Sequence, residues 1–412
     1  MKIRRKQVRL AAIGLATVVV PATAHADVVT DWAEFAVRLE NASDDHSAEG
    51  YATNAQIGAA MFEAANCIDH RYRSYLGMTA VPKGSASLDA AVIAAAHAVL
   101  VAHYTAKKAM IDENEAVALE LIPDTPARAK GIAIGEDAAR QALLRGGLDA
   151  AVIQVPYRPR TTPGMWIGAT LPVFAPYVQA LKPWAIGRVD ALRPPPPPAL
   201  TSAIYTSSYD EVKRLGGKVS AERTPLQTRM ASYRITPDLM PMLRRISDLP
   251  GRTTVGNTRM VARLWMAEAD YGLAMADAKM HYQFWRPITA IRNAADDANP
   301  ATAPDPGWMP LIPTPNHPEY PCGHCGYAAM AAAVLRAEVG NSPPGGVVVQ
   351  SRSLPDAVLQ HLPTFDEWVR QVSFSRTLGG VHFRFSNEAG EQMGDAVAAK
   401  VLALMPAEHG GR

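Results

Sequence analysis

Thr314-Pro315-Asn316-His317-Pro318-Glu319-Tyr320-Pro321-Cys322-Gly323-His324 runs directly into Tyr327–Val339, where Ala329, Met330, Ala331, Ala332, Ala333, Val334 and Leu335 read as helix. Pro321 and Gly323 therefore stand at a helix start. First-turn amides have no acceptor within the helix, and the positive end of the helix dipole faces the same way. Such a start suits an anion. A histidine beside it, His324, can move protons near neutral pH.

Downstream, Ser375-Arg376-Thr377-Leu378-Gly379-Gly380-Val381-His382 leads into a second helix, expected from about Asn387 to Leu404. It adds a cation and a second histidine, and its paired glycines let backbone approach closely. Upstream, a helix near Thr258–Met280 carries the apolar stripe Val261, Leu264, Trp265, Gly272 and Met275, with Glu268 on the same face. Lys279 follows Val261 by five whole turns and leaves from that stripe. Arg286 comes nearly two turns later, and Pro287 closes the segment. Cations aimed inward need an anion to meet. Each segment alone has an ordinary reading: a snorkelling lysine, a helix entry, a glycine turn capped by arginine. Together they assemble Lys279, Arg286, Arg376, an anion-binding helix start and two histidines. That set suits a tetrahedral oxyanion. Asp277 and Glu319 flank the motifs as groups that could orient a histidine.

The rest of the chain reads as all-α. Helical periodicity covers Ala55–Tyr72, Leu88–Leu121 as two long helices, and Pro126–Leu144, and sustained strand alternation is absent. The loops are rich in proline, above all the run Pro194–Pro198, a stiff extended segment. It reads as a surface strap joining two helical halves, 27–193 and 194–412, the second carrying the motif core 279–382. His97 and His103 are off the spacing that shares a helix face and read as structural. The chain has 412 residues, 48% apolar and 19% charged, enough for a large core and too apolar for a disordered chain. Its three cysteines are too few for a disulfide scaffold.

Residues 1–26 read as an address. Lys2, Arg4, Arg5, Lys6 and Arg9 precede the apolar run Leu10–Val20, Pro21 breaks it, and Ala24-His25-Ala26 is a small-x-small cleavage pattern. That makes a signal peptide cut after Ala26 and a periplasmic or secreted protein. Eleven apolar residues are too few to span a bilayer, which takes about 20. Without residues 1–26 the chain has 36 basic against 39 acidic residues, a balance that argues against a nucleic-acid surface. No later stretch is a membrane span, and homo-oligomerisation is left open. Nucleotide fingerprints and HExxH are absent.

In this order, Lys279-x6-Arg286-Pro287, Pro321-Cys322-Gly323-His324 and Ser375-Arg376-x3-Gly380-x-His382 resemble the signature of the type 2 phosphatidic acid phosphatase and vanadium-dependent haloperoxidase superfamily. The flanking text, Trp285 to Arg292 and His382 to Glu388, looks like its soluble bacterial haloperoxidase branch. The resemblance implies a large helical bundle of two packed halves. It implies His382 as the axial ligand to vanadium and His324 as the acid–base group. Lys279, Arg286, Arg376 and the Gly323 amide would hold the oxyanion's oxygens, with residue 322 beside them. Vanadate would be the cofactor, with peroxide and halide as small-molecule substrates. His317 and Trp285 would line the halide pocket, and His317 favours bromide or iodide over chloride. The same pocket in the superfamily's acid phosphatases takes a phosphate ester and no cofactor. There His382 would be the nucleophile of a phosphohistidine intermediate, and His324 would protonate the leaving group.

One position departs from the pattern. Cys322 stands where the superfamily has serine, and a thiol is a weaker donor that oxidants attack. Cys322-Gly323-His324-Cys325 also resembles the active motif of protein disulfide isomerases, a third reading as a thiol–disulfide oxidoreductase. The βαβ context of that motif is missing. A Cys322–Cys325 disulfide would reshape the pocket.

Overall fold

The computed structural model describes residues 27–42, 48–147, 157–168, 182–235, 237–354 and 359–405; the expected signal peptide lies outside them. Among the described residues the chain is a helical body. Its first part comprises α1 (Val28–Asn41), α2 (Ala48–Asp69), α3 (Leu88–His103), α4 (Lys108–Glu120) and α5 (Pro126–Gly146). Its second part comprises α6 (Ala203–Gly216), α7 (Pro225–Tyr233), α8 (Met240–Ser247), α9 (Thr254–Tyr282), α10 (Pro287–Arg292), α11 (Gly323–Val339), α12 (Phe365–Leu378) and α13 (Arg384–Leu404). Local chemistry sets several starts. Ser87, Thr125, Thr224, Thr253 and Thr364 each accept a first-turn amide as N-caps, and Thr224 with Gln227 forms a capping box.

α9 is the axis of the molecule. It is buried on every face, so its sequence shows a blurred stripe rather than an amphipathic one. α2 packs along it from the first part, and α11 and α13 from the second. One apolar core consequently runs from Val29 to Met405 through both parts. α11 and α13 meet through glycines. A Cβ on Gly394 would lie 2.1 Å from the Gly326 carbonyl oxygen, and one on Gly390 would lie 2.4 Å from that of Cys322. Any side chain there would force the helices apart.

A second core is aromatic: Tyr205, Phe284, Trp285, Tyr320, Phe383 and Phe385 pack together, the last two stacked at 5.2 Å. The segment 194–198 has no regular secondary structure. The Tyr282 hydroxyl donates to the Pro194 carbonyl and the Tyr320 hydroxyl to that of Pro195, at 2.7 Å for the second.

The sequence reading lacks a three-stranded antiparallel sheet. It comprises β1 (Pro237–Asp238), β2 (Val347–Ser351) and β3 (Gln360–Leu362), in that order. Among the described residues no single helix is long and apolar enough to cross a membrane.

Candidate active site

The three motifs come together at the ends of five helices. Lys279 lies in the last turn of α9, which ends when Gln283 adopts a left-handed conformation (φ 46°) and turns the chain back. Arg286 caps α10, Cys322 caps α11, and Arg376 sits in the last turn of α12. His382 lies two residues before α13. Three of the site residues have an aromatic neighbour in sequence: Trp285 beside Arg286, Tyr320 beside Glu319, Phe383 beside His382. The neighbours enter the aromatic core while the polar side chains turn to the pocket, as alternate residues of extended backbone do. Trp285 is only 2% exposed. It packs in the aromatic core beside Arg286.

Lys279, Arg286, Arg376, Glu319 and His382 are buried, whereas His317, Gly323 and His324 are partly exposed and form the pocket mouth. The Lys279 ammonium donates to the carbonyls of Pro318, Glu319 and Pro321 at 2.9, 2.8 and 2.5 Å. Its three protons are thus used, and it offers a guest its charge rather than a spare donor. Arg286 donates from Nε to the His317 carbonyl (2.9 Å) and from Nη1 to that of Val381 (2.8 Å). Its Nη1 also lies 3.2 Å from His382 Nε2, and its Nη2 lies 3.0 Å from His317 Nδ1. Arg376 is different: its Nε and Nη2 are buried with no partner among the described residues.

Glu319 is the carboxylate of the site. Its Oε1 accepts from His382 Nδ1 at 2.8 Å and from the Phe383 amide at 3.1 Å. With Glu319 ionised, His382 carries its proton on Nδ1 and turns its Nε2 lone pair toward Arg286 Nη1, 3.2 Å away. Asp277, the other flanking acid, instead pairs with Arg193 at 2.7 Å. His324 donates from Nε2 to the Ile235 carbonyl at 2.8 Å, which leaves Nδ1 as acceptor. Sequence reasoning gave no sign of Ile235, since a carbonyl carries no side-chain identity.

Electrostatics follow from burial. Desolvation, helped by Arg286, pushes Lys279 well below the usual lysine range. Desolvation brings Arg286 and Arg376 down to about 10 and raises Glu319 to about 7. Burial first, then the neighbouring cations, also lowers His317, His324 and His382, so all three are neutral near pH 7. One carboxylate thus offsets Lys279 and Arg286, while Arg376 has none and keeps two donors unmatched. A tetrahedral oxyanion fits that deficit.

Cys322 and Cys325 are disulfide-bonded. Residue 322 therefore has no S–H to donate, which makes the departure from serine complete. Among the described residues no group of three His, Cys, Asp or Glu side chains is placed to hold a metal ion.

Residues 259–409 match the family model described as the VCPO second helical-bundle domain, which contains all three motifs. No curated protein matches in sequence. Among solved structures the chain is similar to a bacterial vanadium-dependent iodoperoxidase, with a TM-score of 0.77 and 17% identity over 95% of this chain and 99% of that one. It is also similar to the holo form of a bacterial vanadium-dependent chloroperoxidase, with a TM-score of 0.68 and 17% identity over 87% and 92% of the two chains. At that identity the likeness to solved structures is one of fold. The superfamily resemblance drawn from three short motifs is borne out by the family model, and the all-α architecture by the solved structures.

Proposed function

From its place in the vanadium haloperoxidase and type 2 phosphatidic acid phosphatase superfamily, we propose that the chain is a vanadate-dependent haloperoxidase-like enzyme. It oxidises a halide, bromide or iodide, with hydrogen peroxide. The observation that carries this reading is the charge deficit of the pocket: Lys279, Arg286 and Arg376 around a single carboxylate, with two Arg376 donors unmatched.

The residues present fit vanadate. When bound it supplies a Lewis-acidic V(V) centre that activates peroxide. His382 would hold its central atom through Nε2, and Glu319 keeps that lone pair in place by holding the Nδ1 proton. Arg376, Arg286 and the Gly323 amide would hold its oxygens, and Lys279 adds charge. His324 receives and returns protons at Nδ1, because the Ile235 carbonyl holds the other ring nitrogen's hydrogen. His317, partly exposed against Arg286, sits where a halide enters. The aromatic core behind Arg286 keeps water from the buried side.

A second reading rests on the same His382–Glu319 pair. A carboxylate-held imidazole whose unprotonated Nε2 lies 3.2 Å from an arginine also suits an exported acid phosphatase that forms a phosphohistidine. The thiol–disulfide oxidoreductase reading has less support, because both sulfurs are without exposed surface and a protein substrate has no path to them.

The test is to purify the chain in phosphate-free buffer and assay peroxide-dependent bromination and aryl phosphate hydrolysis, each with and without vanadate. Bromination that requires vanadate supports the first reading, and hydrolysis that vanadate inhibits supports the second. Neither activity would sink both. Export belongs to the proposal: the N-terminus of the protein recovered from periplasm or medium is expected to be Asp27, and an intact Met1 there would refute cleavage.

A further inference from the structure

We propose that Cys322 and Cys325 form a thiol–disulfide modification site, closed by a small oxidant that enters the anion pocket, and that the closed form captures the oxyanion. The inference rests on the reading of the pocket as an oxyanion site. The bond closes a ring around Gly323 and His324, the residues that supply the pocket's amide and its acid–base imidazole. Both sulfurs are wholly buried, while Gly323 and His324 between them are partly exposed. A reagent therefore reaches the pair through the pocket mouth. Peroxide and hypohalous acid are small enough for that route, and a folded protein dithiol is not.

Space makes the bond matter to the pocket. Bonded sulfurs lie about 2 Å apart, whereas non-bonded heavy atoms need about 3.5–4 Å. Reduction must find the difference, and the walls behind the pair are closed. A Cβ on Gly390 would already lie 2.4 Å from the Cys322 carbonyl oxygen. The Tyr271 hydroxyl donates to the carbonyls of Cys322 and Gly323, both at 3.1 Å, and Asn387 Oδ1 lies 3.3 Å from the Cys325 sulfur. The pocket is the side that can yield. Reduction thus shifts the helix start into the cradle and displaces the Gly323 amide and the His324 ring.

The chemistry balances. With peroxide, one thiol sulfur attacks an oxygen, the O–O bond breaks, and a sulfenic acid and water form. The second thiol displaces the hydroxyl as water and the S–S bond closes. With hypohalous acid the intermediate is a sulfenyl halide, and halide and a proton leave instead. An added phosphine returns the two electrons.

The test uses the full chain. Thiol counting on aerobically purified, denatured protein is expected to find Cys67 alone, and all three cysteines after phosphine treatment. Orthovanadate and inorganic phosphate affinities are then measured by calorimetry on both forms. Reduction is expected to weaken both by about tenfold or more, the scale of losing a supporting contact around such a site. One equivalent of peroxide should restore the bond and the affinity. Cys325→Ser, checked for folding by its melting curve, should bind like the reduced protein and ignore reductant. Equal affinity in both forms would overturn the inference and leave the oxyanion reading intact, as would three free thiols in the aerobic protein. Failure of both forms to bind either anion would overturn the oxyanion reading itself, and this inference with it.

Discussion

Arg376 shows what the pocket is for. Burial lowers its affinity for a proton, no carboxylate compensates it, and two of its donors are unmatched. Such a group costs stability and is retained where a ligand completes it. Arg376→Met should therefore hold or raise the melting temperature of the anion-free protein while weakening orthovanadate binding about 10²-fold or more. A fall in both would mean that Arg376 is structural. Glu319 is the converse case, a group whose work is done on another residue. Glu319→Ala should lower turnover by about 10–100-fold. Glu319→Gln, which can still accept the Nδ1 proton, should lose less. Equal losses in calorimetry and kinetics for both variants would refute the positioning role. The cations and histidines of this site were legible in the sequence because their order and spacing are preserved along the chain. The partner of His382 was not: Asp277 and Glu319 are equally near the motifs, and only the folded turn decides that Glu319 faces the imidazole.

Most helices were legible because their signals are local. Ser87, and Thr125 before Pro126, fix the starts of α3 and α5, and the apolar period fixes their course. α11 begins at Gly323, where the sequence placed a helix start, and Gly326 in its first turn serves packing. The sheet was missed because β1 and β3 have two and three residues and pair over more than a hundred positions in the first case. At this scale the glycines can be told apart. Gly326→Ala would place a Cβ 2.2 Å from the Tyr271 hydroxyl and 2.4 Å from the Gly390 carbonyl, whereas at Gly323 the nearest atom, the Met275 sulfur, is 3.7 Å away. Gly326→Ala should cost about 1–3 kcal/mol in denaturant unfolding, and Gly323→Ala far less. Similar costs would argue against glycine packing between α11 and α13.

For the whole molecule, acid and base act on ionisable groups that the pocket does not use. Glu268, on α9 beside Glu40, Tyr51 and Tyr327, is raised to about 8 by burial and then by Glu40. Between the ordinary glutamate value and that one the folded state holds more protons than the unfolded state. Its contribution to stability is therefore full below about 4.5 and is lost as pH rises toward 8. The buried histidines act in the opposite sense below their ordinary value, so the wild-type curve mixes the two. Glu268→Gln isolates one: its advantage in melting temperature over wild type should grow from pH 5 to pH 8. A constant difference would show that Glu268 does not titrate in that window.

The proline run has a consequence at the same scale. Tyr282 stands three residues beyond Lys279 and Tyr320 one beyond Glu319, and their hydroxyls rest on neighbouring strap carbonyls. Whatever lifts that strip off the body would tug at once on the ammonium's helix and the carboxylate's loop. It works as a lashing that ties the outermost coil of the molecule to the spacing of its innermost charges.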